Sequence, residues 1–287
     1  MRIITTNYPT AAQKADILTL VADVAAKDGI VVTIAAEDFP PGPRPCTFMM
    51  AIEADTLCGV AAMTPGNEPE TTFVVAPSRR RKGIATQLLA EVRSEQAARG
   101  LTSGLLVGDL ASPGMRPFLD TIGATEETGE FRMVCSARPA TDLPSIPKLE
   151  LRRATPSDVT VMSSILQQAF DHPIEQVTVR VEAGLAERDR YFLLAVLDGL
   201  PVGLVRLGAW DGMGDITSLA VMPEVQGRGI GKILLLVASQ TLFDQGFAEV
   251  GLDVATTNQH ALGLYESVGY RVTNAFGFFR LATETST

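Results

Sequence analysis

The sequence contains few cysteines, no excess of positive charge and no long hydrophobic run. Its three cysteines, Cys46, Cys58 and Cys135, are odd in number, widely spaced and set among apolar residues. This pattern predicts buried thiols and argues against a disulfide framework or a metal site. The 24 basic residues are outnumbered by 33 acidic ones, for a net charge of −9. Neither nucleic acid nor an acidic membrane surface is therefore expected as a partner.

The N-terminal segment lacks the apolar core of a signal peptide, and no apolar run approaches the length of a membrane span. We therefore expect a cytoplasmic protein. Its 287 residues are enough for one large domain or for two smaller ones. The composition is compatible with a monomer or a homodimer.

A glycine-rich loop is the most informative local feature. Residues 222–235, MPEVQGRGIGKILL, follow a strand-like segment at 215–221 and continue into an apolar segment that favours a helix. A loop in this position aims free backbone N–H groups and the positive end of the helix dipole at an anion. The sequence therefore predicts a phosphate-binding loop.

Two nucleotide-binding motifs do not fit this loop. Gly227 and Gly231 are one residue too close for a P-loop, and Ile233 stands where a P-loop has Ser or Thr. The glycines recur at every second position, whereas a dinucleotide-binding fingerprint has a wider last gap. Asp253 lies about where the ribose-binding acid of that fingerprint belongs, but the glycine spacing excludes the motif.

The loop resembles motif A of the GNAT superfamily of N-acetyltransferases, in which Gln/Arg-x-x-Gly-x-Gly/Ala follows a strand ending in Val-x-Pro. The matching residues are, in order, Val221, Pro223, Gln226, Gly229 and Gly231. A second family segment is matched by NQHALGLYESVGY at residues 258–270, after a strand-like segment at 248–255. Two motifs in this order are a more specific signal than the glycine loop alone.

A shift of 146 positions reveals an internal repeat. Residues 76–89, APSRRRKGIATQLL, fall on the glycine loop, and residues 117–123 fall on 263–269 without a gap. Between the halves, residues 137–148 contain three prolines and have the composition of a linker. We therefore predict an N-terminal domain at 1–138, a linker at 139–148 and a C-terminal domain at 149–287.

The resemblance implies the fold and the cofactor. Each half is expected to form an α/β (α+β) domain with a mixed, mostly antiparallel sheet of about six or seven strands and about four flanking helices, as in bacterial tandem GNAT proteins. The implied cofactor is acetyl-CoA, whose pyrophosphate the loop amides would hold. The implied cofactor-binding residues are Leu219, Ala220, Val221, Gln226, Gly227, Arg228, Gly229, Ile230, Gly231, Lys232, Asn258 and Tyr265.

Two of these assignments have purely structural alternatives. The glycines would also suit a tight turn that binds nothing. Asn258 is a favoured helix N-cap in any sequence, although capping and cofactor contact can coexist.

The resemblance also suggests catalytic residues. Tyr265 occupies the family's position for the group that protonates the leaving sulfur, and simple packing within a helix is the alternative. Asp215, six residues before Val221, stands where several members carry a catalytic glutamate, and a solvated turn is the alternative. No cysteine or serine stands at a motif position to form an acyl-enzyme. Direct attack by the amine in a ternary complex, without a metal, is therefore expected.

Three further residues are weaker candidates. His172 and Glu175 lie where the family usually forms its acceptor pocket, but a surface loop is the preferred interpretation. His260 is expected to face solvent early in its helix.

The first half has lost the proposed chemical groups. The repeat places Leu119 at Tyr265, Ser112 at Asn258 and Pro69 at Asp215. Its loop is richer in positive charge, with four cations before Gly83, so it would still hold a diphosphate without turnover. A degenerate structural domain is the alternative. The residues of this possible second CoA site are Val75, Arg80, Arg81, Lys82, Gly83, Ile84 and Ala85.

We therefore expect an N-acetyltransferase whose C-terminal domain acts on a small-molecule amine. Two alternatives stay open: a protein or peptide N-acetyltransferase, and a noncatalytic regulatory protein that binds acyl-CoA. Acceptor specificity lies in loops that have no readable code, so the sequence does not separate them.

Overall fold

In the computed structural model, the described residues are 1–41, 45–140 and 145–280. They form two compact units. Within the described chain, unit 1 contains residues 1–131, 255–257 and 274–280, and unit 2 contains residues 132–254 and 258–273. Among the described residues, no helix is both long and apolar enough to cross a membrane.

These units differ from the predicted segments 1–138 and 149–287. Residues 132–138 belong to unit 2 and residues 274–280 belong to unit 1, because the last strand of each half contributes to the sheet of the other unit. A sequence repeat shows where motifs recur, but strand pairing uses main-chain hydrogen bonds that carry no sequence label. Part of the predicted linker, residues 141–144, lies outside the described residues.

The first half of the chain alternates strands and helices. Its elements are β1 (Arg2–Thr6), α1 (Ala11–Asp28), β2 (Thr47–Glu53), β3 (Thr56–Met63), β4 (Glu70–Val75), α2 (Ile84–Ala98), β5 (Leu105–Asp109), α3 (Met115–Ile122) and β6 (Thr125–Cys135). The second half has one helix more. Its elements are β7 (Leu149–Arg153), α4 (Val159–Phe170), α5 (Ile174–Ala186), β8 (Tyr191–Leu197), β9 (Leu200–Trp210), β10 (Met213–Val221), α6 (Ile230–Asp244), β11 (Val250–Ala255), α7 (Gln259–Val268) and β12 (Arg271–Arg280).

Each unit has a mixed sheet. The strand order is β1-β2-β3-β4-β5-β12 in unit 1 and β7-β8-β9-β10-β11-β6 in unit 2. Of the two last strands, β12 contributes residues 274–280 to unit 1 and β6 contributes residues 132–135 to unit 2. In unit 1, the pair β4–β5 is parallel and the other pairs are antiparallel. In unit 2, β10–β11 is parallel, while β7–β8, β8–β9 and β9–β10 are antiparallel. The predicted α/β class with a mixed, mostly antiparallel sheet is confirmed.

Local sequence explains where the helices begin and end. Thr10 accepts a hydrogen bond from the N–H of Gln13, whose side chain accepts one from the N–H of Thr10, so a capping box starts α1. Gly29 ends the same helix at φ +67°, a left-handed conformation that favours glycine. In the second half, Asp158 accepts hydrogen bonds from the N–H and hydroxyl of Thr155 just before α4. Thr155 thus lies at the entrance of the helix.

The sheet of unit 2 is packed on both faces. On one face, buried residues of α4 and α5, including Met162, Ile165 and Val181, form a core with Phe192 and Leu204 of the sheet. On the other face lies α6, whose buried residues run from Ile230 to Leu242. The two faces matter for the site because strand side chains alternate between them.

The parallel strands of each unit separate before they end. Strands β10 and β11 pair only over residues 214–216 and 250–252, although β10 continues to Val221. Strands β4 and β5 pair only over residues 70–72 and 105–107, although β4 continues to Val75. Each unit therefore has a gap between its two parallel strands, open towards its glycine loop.

Candidate functional site

The glycine loop of unit 2 connects the far end of β10 to the first turn of α6. Gly227 and Gly229 have φ +73° and +85°, a region that strains every residue with a Cβ. Gly229 is the N-cap of α6, and the N–H of Ile233 donates to its carbonyl oxygen at 3.1 Å. The N–H groups of the first turn, before Ile233, have no acceptor within the helix and are available to an anion.

The space around the loop fits a diphosphate. A Cβ added at Gly227 or Gly229 would meet no protein atom within 4 Å. One added at Gly231 would be 3.7 Å from the Leu264 and Val221 side chains, an ordinary contact. Packing within the protein therefore does not demand glycine at position 231, and the absence of a side chain there leaves the main chain open to a ligand. The predicted loop residues lie together at one end of the gap.

The end of β10 borders the gap. The register with β9 shifts between Thr217 and Ala220, and Ser218 has φ +53° within this bulge. Beyond Ile216 the strand no longer pairs with β11, so its main chain through Leu219 and Val221 lies along the gap. Gln226 Nε2 donates to the Val221 carbonyl oxygen at 2.9 Å and so ties the loop to the strand.

Tyr265 lies on α7, next to Leu264, whose side chain would be 3.7 Å from a Cβ at Gly231 of the loop. Its side chain is buried, with its ring centroid 6.3 Å from that of Tyr270. The Tyr270 hydroxyl is hydrogen-bonded to Ser239 at 2.7 Å, whereas the Tyr265 hydroxyl bonds to none of the described residues. Burial raises the pKa of Tyr265 to about 12. The phenol therefore keeps its proton at neutral pH and has a hydrogen bond to give.

Asn258 caps α7. Its side-chain oxygen accepts a hydrogen bond from the N–H of Ala261 at 3.1 Å, as expected for an N-cap. The predicted contact with the cofactor arm stays a prediction.

Asp215 lies in the sheet and not in a solvated turn. It is buried on β10, with Gly208 of β9 and Gly251 of β11 as its register partners. Its Oδ1 is 3.4 Å from Arg132 Nη1 and its Oδ2 is 3.4 Å from Arg190 Nη1. Both oxygens thus face guanidinium groups, an arrangement that favours a positioning role over the predicted role of general base.

Two carboxylates share Arg132. Its Nη1 is also 3.0 Å from Asp253 Oδ2, and its guanidinium lies 5.2 Å from the centroid of the Trp210 ring. Asp253 is 43% exposed, whereas Asp215 and Arg132 are each 7% exposed. The sequence did not indicate Arg132 or Arg190, and Asp253 was considered only for a motif that does not fit.

The weaker candidates lie on the surface. His172 and Glu175 are exposed at the junction of α4 and α5, in agreement with the preferred surface interpretation. His260 is exposed in the first turn of α7.

Unit 1 contains a cavity of about 490 Å³ at the equivalent place. It lies between the separated parts of β4 and β5 and reaches the first turn of α2, with Val75, Gly83 and Ala85 in its wall. Gly83 is the N-cap of α2 at φ +78°, like Gly229 in unit 2. Arg80 Nε faces the Val75 carbonyl oxygen at 3.3 Å, the counterpart of the contact made by Gln226.

The positive charge of the unit 1 loop is partly neutralised. Arg80 binds Asp28 through two hydrogen bonds, of 3.1 and 2.5 Å, and Arg79 is 2.5 Å from Glu53. The sequence shows four cations that could bind a diphosphate, but Arg79 and Arg80 form ion pairs within the protein. Arg81 and Lys82 form no ion pair among the described residues.

Comparisons with known proteins match both halves of the chain. A model described as "Acetyltransferase (GNAT) family" matches residues 159–270, and one described as "Acetyltransferase (GNAT) domain" matches residues 44–118. A mycothiol acetyltransferase from Kocuria rhizophila is 29% identical, with 81% of this chain and 84% of the relative covered. One from Thermomonospora curvata is also 29% identical, with 77% and 78% covered.

Solved structures show the same fold. A GCN5-related N-acetyltransferase from Sphaerobacter thermophilus has a TM-score of 0.77 at 20% identity, covering 97% of this chain and 95% of its own. A tandem GNAT protein from the clavulanic acid biosynthesis pathway has a TM-score of 0.72 at 19% identity, covering 97% and 98%.

Proposed function

Because this chain belongs to the GNAT family and is an N-acetyltransferase that uses acetyl-CoA, we propose that unit 2 acetylates a small-molecule amine by direct attack. The observation that carries the proposal is the hydroxyl of buried Tyr265, which bonds to none of the described residues and lies on the helix whose Leu264 approaches Gly231 of the glycine loop. The first-turn N–H groups of α6 have no acceptor within the helix. The repeat places Leu119, a buried apolar side chain, at the same position of unit 1. Turnover is therefore assigned to unit 2.

Each part of unit 2 has a task in this reaction. The first-turn N–H groups of α6, with Arg228 and Lys232 nearby in the chain, would hold the diphosphate. The edge of β10 from Thr217 to Val221, which does not pair with β11, would align the pantetheine arm that connects the diphosphate to the thioester. Bound acetyl-CoA supplies the activated acetyl thioester.

Tyr265 acts on the leaving sulfur. Burial raises the pKa of its phenol to about 12, whereas an ordinary thiol has a pKa of about 8.5. The phenol therefore stabilises negative charge on sulfur mainly by donating a hydrogen bond. Tyr265 transfers its own proton to the sulfur only if it receives a proton from the reacting amine in return.

The proposed acceptor is a small molecule. The relatives that align with most of this chain are named for the acetylation of mycothiol, so mycothiol lacking its acetyl group is the first amine to test. The proposed place of action is the cytoplasm, since Cys58 and Cys135 are buried as thiols, as is usual in a reducing compartment.

A thiol-release assay tests the proposal. The protein is incubated with acetyl-CoA and, in turn, deacetylated mycothiol, aminoglycosides, amino acids and peptides. Amine-dependent release of CoA with a small molecule, lost in Tyr265→Phe, supports the proposal. Release with peptides alone would establish the peptide alternative. Binding of acetyl-CoA without release for any amine would establish the regulatory alternative.

A second role is favoured by the cavity of unit 1. We propose that it holds a second acetyl-CoA without turnover, because its wall repeats the glycine cap and the loop-to-strand contact of unit 2. Calorimetric titration should then give two equivalents of acetyl-CoA per chain. One equivalent, unaffected by substitution of Gly83, would show that unit 1 is structural.

A further inference from the structure

One row of residues across the sheet of unit 2 forms a charged site. Gly208, Asp215 and Gly251 are register partners on β9, β10 and β11. A Cβ at Gly208 would overlap the Arg190 side chain, and one at Gly251 would overlap the guanidinium of Arg132. Each glycine therefore makes room for an arginine that ion-pairs with the aspartate between them.

The row lies on the sheet face away from α6. A Cβ at Gly214 would be 3.1 Å from Leu242 of α6, and the next side chain, Asp215, points to the opposite face. Asp253 is two residues beyond Gly251 on β11 and therefore shares the face of Asp215. Its contact with Arg132 at 3.0 Å agrees with this placement.

Asp253 stands where the parallel strands separate. The last paired residues are Ile216 and Leu252, so Asp253 is the first residue of β11 beyond the pairing. Its Oδ2 contacts Arg132, and 43% of its side chain is exposed. Of the two carboxylates that share Arg132, Asp253 is therefore the exposed one and Asp215 the buried one.

Unit 1 lacks the whole arrangement. The repeat places Val107 at Asp253 and Phe278 at Arg132, and these two apolar residues are register partners in unit 1. Val107 also lines the cavity of unit 1, which indicates that the equivalent side chain of unit 2 faces the corresponding space. The charged pair thus occurs only in the unit that has Tyr265.

We propose that Asp253, and not Asp215, is the carboxylate that binds the ammonium group of the acceptor and accepts its proton. Asp215 is a positioning residue, which holds Arg132 and Arg190 on their glycines so that Arg132 orients Asp253. This inference rests on the proposed function of unit 2.

The surroundings of Asp253 suit a base. Loss of solvent around it raises its pKa, the charge of Arg132 opposes this, and the charge of Asp215 adds to it. A raised pKa makes a carboxylate a better proton acceptor near neutral pH. The protons balance as follows. The ammonium loses two protons as the C–N bond forms and the C–S bond breaks: Asp253 takes one and releases it to solvent. The other replaces the proton that Tyr265 gives to sulfur.

The test compares two nucleophiles that differ in charge. One is the fastest amine of the thiol-release assay that is a cation at pH 7, and the other is hydroxylamine, which is neutral at that pH. Both are measured with saturating acetyl-CoA on the full chain, its Asp253→Asn and Asp253→Glu variants, and Asp198→Asn. Asp198 is an exposed aspartate paired with Lys148 in a turn, so it serves as the matched control.

We expect Asp253→Asn to lower kcat/KM for the cationic amine by about 100-fold and for hydroxylamine by less than about fivefold. Asp253→Glu should restore part of the activity. The affinity for acetyl-CoA and the melting temperature should stay close to those of the unmodified protein.

Three outcomes would overturn the inference. Equal losses with both nucleophiles would make Asp253 structural, and no loss would remove it from the reaction. In both cases the proposed function would stand. Failure of the unmodified protein with every amine, while acetyl-CoA still binds, would overturn the proposed function and this inference with it.

Discussion

Arg132 and Asp215 are 83 positions apart in the chain and form a buried ion pair, with Arg132 Nη1 3.4 Å from Asp215 Oδ1. Arg132 belongs to the strand that ends the first half of the sequence, yet it lies in unit 2. The site of unit 2 therefore contains a residue from the first half of the repeat. A fragment that begins at residue 149, the predicted start of the C-terminal domain, would therefore lack Arg132.

Replacing Gly251 with alanine should disturb this ion pair. The added Cβ would overlap the guanidinium of Arg132, which would have to leave its place over Gly251. We expect kcat to fall by about 10- to 100-fold, because a misplacement of about 1 Å can cost as much as about 100-fold. Gly263→Ala is the control, since a Cβ there meets nothing within 4 Å. Equal activity of the two variants would contradict the prediction.

Tyr265→Phe should lower kcat without affecting the fold. Its hydroxyl has no hydrogen-bond partner among the described residues, so its removal costs little stability. We expect a loss of about 10- to 100-fold in kcat, with the affinity for acetyl-CoA unchanged. Steady-state kinetics and thermal unfolding measure the two quantities. The reverse result, a large loss of stability with normal kcat per folded molecule, would assign Tyr265 to packing.

Gly229→Val should remove acetyl-CoA binding by unit 2. The substitution places a β-branched residue at φ +85° and fills the space in front of the first-turn N–H groups. The strain costs about 1–2 kcal/mol of stability. Gly246→Val is the matched control, because Gly246 has φ +97° and an equally open Cβ position but follows the other end of α6.

Titration calorimetry should show one fewer equivalent of acetyl-CoA for Gly229→Val and none fewer for Gly246→Val. Gly83→Val tests unit 1 in the same way. Unchanged binding in Gly229→Val would place the main site in unit 1.

Activity towards a cationic amine should fall on the acidic side at a higher pH than an ordinary aspartate would give. The base must be ionised to accept a proton, and the pKa of Asp253 is raised from its usual value by loss of solvent. Protonation therefore inactivates it before the pH reaches the usual carboxyl range. The charged groups in contact with it are Arg132 and, through Arg132, Asp215. The pH profile of kcat/KM should lose this limb in Asp253→Asn, and a limb that persists would belong to another group.

Arg80→Ala should destabilise unit 1. Asp28, its partner, is 6% exposed, and removing the guanidinium leaves a buried carboxylate without its charge partner, at a cost of about 3 kcal/mol. Arg2→Ala is the control, because the Arg2–Asp55 pair is on the surface and contributes less than about 1 kcal/mol. Urea unfolding measures both values. Similar values would show that the Arg80 pair is not coupled to folding.

The glycine loop and Tyr265 were predictable from sequence because their patterns are local. The left-handed conformation at position 229 favours glycine, and the glycines leave the main chain of the first helical turn open. Tyr265 lies within the continuous segment that forms α7. The fold class followed from two such motifs and their repeat.

The sequence by itself therefore determined the family, the glycine loop and the contrast between Tyr265 and Leu119. Tertiary structure alone decided which strand completes each sheet, and with it the placement of Arg132 beside Asp215 and Asp253. The physical reason is that pairing between strands uses main-chain groups common to all residues. No local sequence pattern predicts that the last strand of the first half places Arg132 over Gly251 of the second half.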